Sequence, residues 1–179
     1  VEMAVAHPAA GSFGLYAGIY VSPFAGYAVR VSYWLMQVIA TGGHMVAMLL
    51  ATHWQDLGSD LPRCPIQSAL AISGVFDIEP LVHTSMNVDL GLTLETAKAL
   101  SPYYMRPVCR APLALVWGGN ESDEFKRQSR DFAARWRDLG SQTRLLEIPG
   151  RHHLSVVEDL GRADSELVRL VLELQKMGR

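Results

Sequence analysis

The chain has 179 residues, of which 49% are hydrophobic and 19% are charged, and its net charge at pH 7 is −2. This composition is typical of a globular domain with a hydrophobic core, and it excludes a disordered chain. Without a basic surface stripe, nucleic acid is not expected as a partner. No apolar run reaches the ~20 residues of a membrane span, so no membrane partner is expected either.

Apolar runs and helical patterns alternate along the chain. The apolar runs predict strands at 1–6, 26–35, 37–41, within 66–77, at 111–119 and at 142–150. The helical spacings predict helices over 42–54, late in 79–102, over 122–140 and over 165–178. Thr93 and Thr96 are candidate caps of the second of these helices. Continuous apolar strands that alternate with helices indicate an α/β protein with a mostly parallel sheet.

The connection between two predicted strands is too short for a parallel sheet. Only Met36 separates the strand at 26–35 from the strand at 37–41, whereas parallel neighbours need a crossover segment. The chain also begins inside a predicted strand. We therefore expect residues 1–179 to form a single domain that lacks segments at its N-terminal side and around 36–42.

The two cysteines and six histidines are scattered along the sequence. Cys64 and Cys109 follow no metal-ligand spacing, which predicts two free thiols in a reducing cytoplasm. The histidines have no carboxylate partners at ligand spacing, so we expect no metal site. The N-terminus has no signal-peptide pattern.

Polar residues follow three of the predicted strands. Asn120-Glu121 comes after "LALVWGG", Arg151-His152-His153 comes after "RLLEIPG", and a Gly-Gly turn comes after "QVIAT". An order of nucleophile, acid and histidine along the chain is the order of the α/β-hydrolases. In such sites the histidine takes a proton from the nucleophile, and the carboxylate holds the imidazole in the right tautomer.

Longer stretches resemble the arylformamidase (kynurenine formamidase) group of α/β-hydrolases and their esterase relatives. The resemblance covers about residues 38–175 and rests on "GGHMVAMLLATHW", "ISGVFDIEPLVHTSMNVDLGLT", "ALSP", "GGNESDEFKRQSRDFAARW" and "PGRHHLSVVEDL". It implies an α/β-hydrolase fold, a mostly parallel sheet flanked by helices. It also implies serine-type hydrolysis of an aryl formamide such as N-formylkynurenine, or of a carboxylic ester, without a cofactor.

The resemblance also implies roles for particular residues. The acid falls at Glu121 and the histidine at His153, with His152 only its neighbour. The early oxyanion loop of the family maps onto residues 7–10, where Pro8 has no N–H to donate, so Ala9 and Ala10 are the candidate donors. Asn87 is a candidate contact for a small amide or ester substrate, and a homodimer is the candidate assembly.

The nucleophile is missing from its expected place. The elbow of the family reads G-H-S-A-G-G-H, whereas this chain reads Ala40-Thr41-Gly42-Gly43-His44. With a gap between Thr41 and Gly42, four residues are absent and the serine is among them. Without a gap, the serine position is Ala40 and the chain is a non-catalytic binding protein of the same fold. We favour the gap, because both flanks match the family.

Simpler explanations exist for the same residues. Glu121 has the position of an acid in the first turn of a helix, where the helix dipole favours negative charge. Asp123 is the reserve candidate for the acid. Ser73 follows a strand, but Gly74 and Phe76 after it indicate an ordinary strand exit.

Overall fold

The chain divides into two units, of which the second is Ile39–Arg179. The computed structural model describes residues 42–178, which lie in the second unit. The strands predicted at 1–6, 26–35 and 37–41, and the segments expected to be missing around 36–42, lie outside the described residues. Whether residues 1–179 form a single domain stays a prediction.

Residues 42–178 form three strands and six α-helices, joined by loops and short 3₁₀ turns. In chain order these are α1 (42–51), α2 (Trp54–Leu57), β1 (Ala69–Ile72), α3 (Asn87–Leu90), α4 (Leu94–Leu100), β2 (Leu113–Gly118), α5 (Asp123–Asp138), β3 (Thr143–Ile148) and α6 (Glu166–Met177). In this part of the chain no helix is long and apolar enough to cross a membrane.

The three strands form a parallel sheet in the order β1-β2-β3. Helices α3 and α4 lie in the connection from β1 to β2, and α5 lies in the connection from β2 to β3. The α/β class with a parallel sheet flanked by helices is therefore confirmed for the described residues. Because all three strands run the same way, the segments that follow them emerge at one edge of the sheet.

Strand β2 is buried along its whole length and divides the core into two layers. Leu113 and Leu115 pack on one face with residues of α1 and α5, including Leu50 and Trp136. Successive side chains of a strand point to opposite faces, so Ala114 and Val116 pack on the other face, against α6. Burial of each large apolar side chain contributes about 1.5–3 kcal/mol, which makes β2 the centre of the described structure.

The predicted helix ends agree with the structure where local signals are strong. The Thr93 hydroxyl accepts a hydrogen bond from the Thr96 N–H, and the Thr96 hydroxyl accepts one from the Thr93 N–H, so the two residues cap α4 together. Helix α5 is followed by Gly140 in a left-handed conformation with φ 92°. These caps need only residues close in sequence, which explains why the pattern predicts them.

The single helix predicted over 42–54 is wrong, because α1 ends at residue 51. In a continuous helix the carbonyl of Leu50 would accept the N–H of Trp54. That carbonyl instead accepts the N–H groups of Val108 and Cys109, at 2.9 and 2.8 Å. A loop 58 residues further along the chain therefore ends the helix.

The prediction of two free thiols is also wrong. Cys64 and Cys109 form a disulfide, with their Cα atoms 5.1 Å apart. The segment before β2 folds back beside the segment that precedes β1, which brings together two cysteines that are 45 residues apart in sequence. The cysteines therefore do not support a reducing cytoplasm, and the cellular compartment stays a prediction.

Gln128 joins α5 to the segment that follows β1. Its carbonyl oxygen accepts the N–H groups of Phe76 and Asp77, at 2.8 and 2.9 Å, and its amide donates to the carbonyl of Asp77 at 2.9 Å. The side chain is 5% exposed. Because buried N–H groups need partners, this one amide fixes the exit of β1 against α5.

Replacement of Gln128 by leucine should destabilise the protein. The substitution leaves the two N–H groups of Phe76 and Asp77 without their acceptor, and we expect a loss of about 2–4 kcal/mol in the free energy of unfolding, measured with urea. Ser129→Ala is the matched control, because the Ser129 hydroxyl is buried next to Gln128 and has no hydrogen-bond partner within the described residues. Equal stability of the two variants would contradict the role of Gln128.

Candidate active site

Three buried polar side chains lie at the edge of the sheet where the strands end. Ser73 directly follows β1, Glu121 comes three residues after β2, and His153 comes five residues after β3. They are 0%, 7% and 9% exposed. Each strand therefore brings one polar group to the same region of the protein interior.

The tight turn after β2 folds Glu121 back onto its own strand. The Glu121 N–H donates to the carbonyl of Gly118 at 3.0 Å, and the Gly118 N–H donates to Glu121 Oε1 at 2.7 Å. The two bonds close the turn from both sides. The carboxylate is thereby held at the end of the central strand.

The carboxylate of Glu121 accepts hydrogen bonds from all three strand ends. Besides the Gly118 N–H, Oε1 accepts the hydroxyl of Ser73 at 2.5 Å, and Oε2 lies 3.0 Å from Nδ1 of His153. An ionised carboxylate only accepts hydrogen bonds, so Nδ1 carries the proton of the imidazole. In the neutral ring, Nε2 is therefore the nitrogen without a proton.

The surroundings of Glu121 favour its ionised form. Burial raises the pKa of the carboxyl, but the hydrogen bonds from His153, Ser73 and Gly118 together outweigh burial and hold the pKa below its usual value. The group is therefore a carboxylate at neutral pH. A positive charge on the ring of His153 would face this carboxylate directly.

His152 and His153 have different surroundings although they are neighbours. Nδ1 of His152 accepts the N–H groups of Leu154 and Ser155, at 3.2 and 3.3 Å, so His152 caps the 3₁₀ turn that follows. The His153 ring instead contacts Glu121 and packs against Phe125, with ring centroids 4.5 Å apart. The two neighbouring rings therefore have different partners, and the contact with Glu121 belongs to His153.

Backbone contacts hold the loops after β2 and β3 together. The Asn120 N–H donates to the carbonyl of Arg151 at 2.8 Å, and the Gly119 N–H donates to the carbonyl of Ile148 at 2.8 Å. A Cβ atom at Gly118 would lie 2.3 Å from the Arg151 carbonyl oxygen. Glycine at 118 is therefore what allows the two loops to approach closely enough for Glu121 to contact His153.

The start of α1 packs directly on the segment that follows β1. A Cβ atom at Gly43 would lie 2.5 Å from the Cα of Gly74, and Nδ1 of His44 lies 2.9 Å from the carbonyl oxygen of Val75. The N-terminal end of α1 is therefore adjacent to Ser73, which contacts Glu121.

The contact predicted between Glu121 and His153 is present, while their catalytic roles stay a prediction. Asp123, the reserve acid, is the exposed first residue of α5. The Asn87 amide donates to the carbonyls of Val82 and Leu92, and its oxygen accepts the Leu92 N–H, so its hydrogen-bonding groups are engaged within its own loop. A contact between Asn87 and a substrate stays a prediction.

The other predicted site residues lie outside the described part of the chain. These are the oxyanion donors Ala9 and Ala10 and the elbow residues Ala40 and Thr41, so the gap at Thr41–Gly42 is not tested. Among residues 42–178, no group of three His, Cys, Asp or Glu side chains is placed to hold a metal ion.

Ser73 is the residue that sequence reasoning missed. The available signal was its place as the first polar residue after a buried strand, at the same edge of the sheet as Glu121 and His153.

The described residues thus form an α/β protein with a buried acid–histidine pair at the carboxyl ends of its strands. No protein-family model matches the chain. The chain is 29% identical over 141 residues to a kynurenine formamidase from Salmo salar, and 26% identical over 140 residues to one from Danio rerio. Both matches cover 75% of this chain and 47% of the relative, so the chain spans about half the length of these curated relatives.

A solved structure is similar as well. A proposed thioesterase from Silicibacter sp. TM1040 matches with a TM-score of 0.61 and 27% sequence identity, over 73% of this chain and 47% of that one. Together these matches confirm the resemblance to the arylformamidase-like esterase group.

The lowered pKa of Glu121 predicts a particular dependence of stability on pH. A carboxyl with a lower pKa in the folded state stabilises the protein above its unfolded pKa, and this stabilisation is lost as the pH falls through the folded value. The free energy of unfolding should therefore fall as the pH drops below about 4.5, the ordinary value for the carboxyl.

Glu121→Gln should make the free energy of unfolding fall less steeply as the pH drops. The measurement is urea unfolding at a series of pH values. Glu124→Gln is the control, because the Glu124 side chain is 47% exposed beside Arg127 and its interaction is screened by water. An equal change of slope in both variants would contradict the pairing described for Glu121.

Proposed function

We propose that this chain is part of a serine-type hydrolase that cleaves an aryl formamide such as N-formylkynurenine. The observation that carries the proposal is the buried hydrogen bond of 3.0 Å between His153 Nδ1 and Glu121 Oε2, at the ends of adjacent parallel strands. The two relatives named kynurenine formamidase support the substrate class. Because each is matched over about half its length, the activity of the whole protein is part of the proposal.

His153 and Glu121 have complementary roles in the proposed reaction. Nε2 of His153 takes the proton of the serine hydroxyl as the oxygen attacks the formyl carbon, and the carboxylate of Glu121 stabilises the imidazolium that forms. The imidazolium then gives the proton to the leaving aryl amine. Water, activated by the same nitrogen, hydrolyses the formyl-serine, releases formate and restores the hydroxyl.

The serine of this mechanism belongs, in our proposal, to the four residues absent between Thr41 and Gly42. The packing of Gly43 against Gly74 supports this assignment. It places the first residues of α1 beside the segment that contains Ser73, whose hydroxyl contacts Glu121. A nucleophile directly before α1 would then lie on the side of the fold where His153 lies.

A carboxylic ester or thioester is the second candidate substrate. The similarity to the proposed thioesterase from Silicibacter sp. TM1040 favours it. The acid–histidine pair activates the nucleophile and does not select the leaving group, so one site serves both reactions. If Ala40 is the true elbow residue, the chain is instead a non-catalytic binding protein of the same fold.

Insertion of the missing elbow tests the proposal directly. We expect the 179-residue chain to react poorly with a fluorophosphonate probe, and a variant with Gly-His-Ser-Ala inserted between Thr41 and Gly42 to be labelled on the new serine. Both proteins would also be assayed for release of formate from N-formylkynurenine and for hydrolysis of p-nitrophenyl acetate. The matched control carries Gly-His-Ala-Ala at the same place. Equal labelling of the Gly-His-Ser-Ala and Gly-His-Ala-Ala variants would contradict the proposal. Hydrolysis of p-nitrophenyl acetate alone would favour a carboxylic ester as the substrate.

The two histidines should differ in their effect on turnover. In the form of the protein that hydrolyses substrate, His153→Ala removes the base, and we expect kcat to fall by at least about 10³-fold. His152→Ala removes a turn cap and should keep most of the turnover while lowering the free energy of unfolding by about 1 kcal/mol. The opposite result would mean that the catalytic histidine is His152.

A further inference from the structure

We propose that Ser73 is a positioning residue of the acid–histidine pair, whose hydroxyl holds the Glu121 carboxylate in the orientation that presents Oε2 to His153. The part of this inference that concerns catalysis rests on the proposed function. The part that concerns the carboxylate stands on the geometry of the described residues.

The sheet fixes the position of the Ser73 hydroxyl. Ser73 is fully buried, and its N–H donates to the carbonyl of Val116 at 2.8 Å, which extends the β1–β2 pairing one residue beyond the strand. From this fixed backbone the hydroxyl reaches Glu121 Oε1 at 2.5 Å. A donor anchored in a neighbouring strand therefore defines where one carboxylate oxygen lies.

The backbone of Ser73 is strained, which indicates that the side chain is needed there. Its φ is 48°, and it is the only non-glycine residue with a positive φ among residues 42–178. This left-handed conformation is unfavourable for a residue with a Cβ atom, whereas glycine adopts it without steric cost. A serine kept in a conformation that suits glycine points to a use for its hydroxyl.

Removal of the hydroxyl would leave the carboxylate less constrained. Oε1 would keep one donor, the N–H of Gly118, which comes from the same strand end as Glu121 itself. The last torsion of a glutamate is broad and roughly two-fold, so packing alone does not fix it. Ser73 supplies the contact from outside the turn that selects one orientation.

Few ionisable groups lie near this carboxylate within the described residues. His153 on the loop after β3 is in direct contact with it. Lys126 on α5 donates to the carbonyl of Gly119 at 2.7 Å, and Arg151 pairs with Asp159, so these cations have other partners. Besides burial, which raises it, the pKa of Glu121 therefore reports on its bonds with His153, Ser73 and Gly118, which lower it.

The test compares Ser73→Ala with Ser73→Gly. Both remove the hydroxyl, but glycine also relieves the strained backbone, so it folds even if the alanine variant does not. In both we expect the pKa of the Glu121 carboxyl, measured by ¹³C NMR titration, to rise above the wild-type value. In the hydrolytically active form we expect kcat to fall about 10- to 100-fold with little change in KM, since the lost bond is to a charged group.

The control is Ser129→Ala, which removes a buried hydroxyl from α5 and should change neither the pKa of Glu121 nor kcat. An unchanged pKa of Glu121 in Ser73→Gly would overturn the proposal, and so would a Ser73→Gly protein with wild-type kcat. The titration needs no turnover. If the protein proves inactive while the pKa rises as expected, the proposed hydrolysis fails and the positioning of Glu121 by Ser73 stands.

Discussion

The carboxylate of Glu121 is the point on which the described site depends. A buried charge is costly unless it is well paired, and here each of three parallel strands supplies one donor: Ser73 after β1, Gly118 in β2 and His153 after β3. Any shift of one strand against its neighbours would leave the charge partly unpaired. The same bonds that orient the acid toward His153 therefore also hold the three strand ends in register.

Much of this arrangement follows from sequence patterns, because it rests on local or regular features. The continuous apolar run of β2 and the amphipathic pattern of α5 identify both elements, and Thr93 marks the start of α4 through a cap within four residues. Glu121 and His153 follow neighbouring parallel strands, so the topology brings them to one edge of the sheet. The resemblance of the surrounding motifs then separates His153 from His152, and the His153 ring is the one that contacts Glu121.

The features that sequence reasoning missed all depend on contacts between distant segments. The end of α1 at residue 51 is caused by Val108 and Cys109, which take the carbonyl of Leu50. The partner of Cys109 is visible only once the two segments lie side by side. In the sequence Ser73 looks like an ordinary residue at a strand end, because the carboxylate that it contacts belongs to Glu121, 48 residues further along the chain. A short stretch of adjacent residues does not reveal contacts of this kind.

The disulfide between Cys64 and Cys109 makes a closed ring of the chain around β1, α3 and α4. Gly91, in the loop between α3 and α4 within this ring, is exposed, and exposed loop tips are preferred sites of proteolytic nicking. A nick there cuts the backbone without releasing either fragment. The cut protein would migrate as one band in electrophoresis without a thiol and as two bands once the disulfide is reduced.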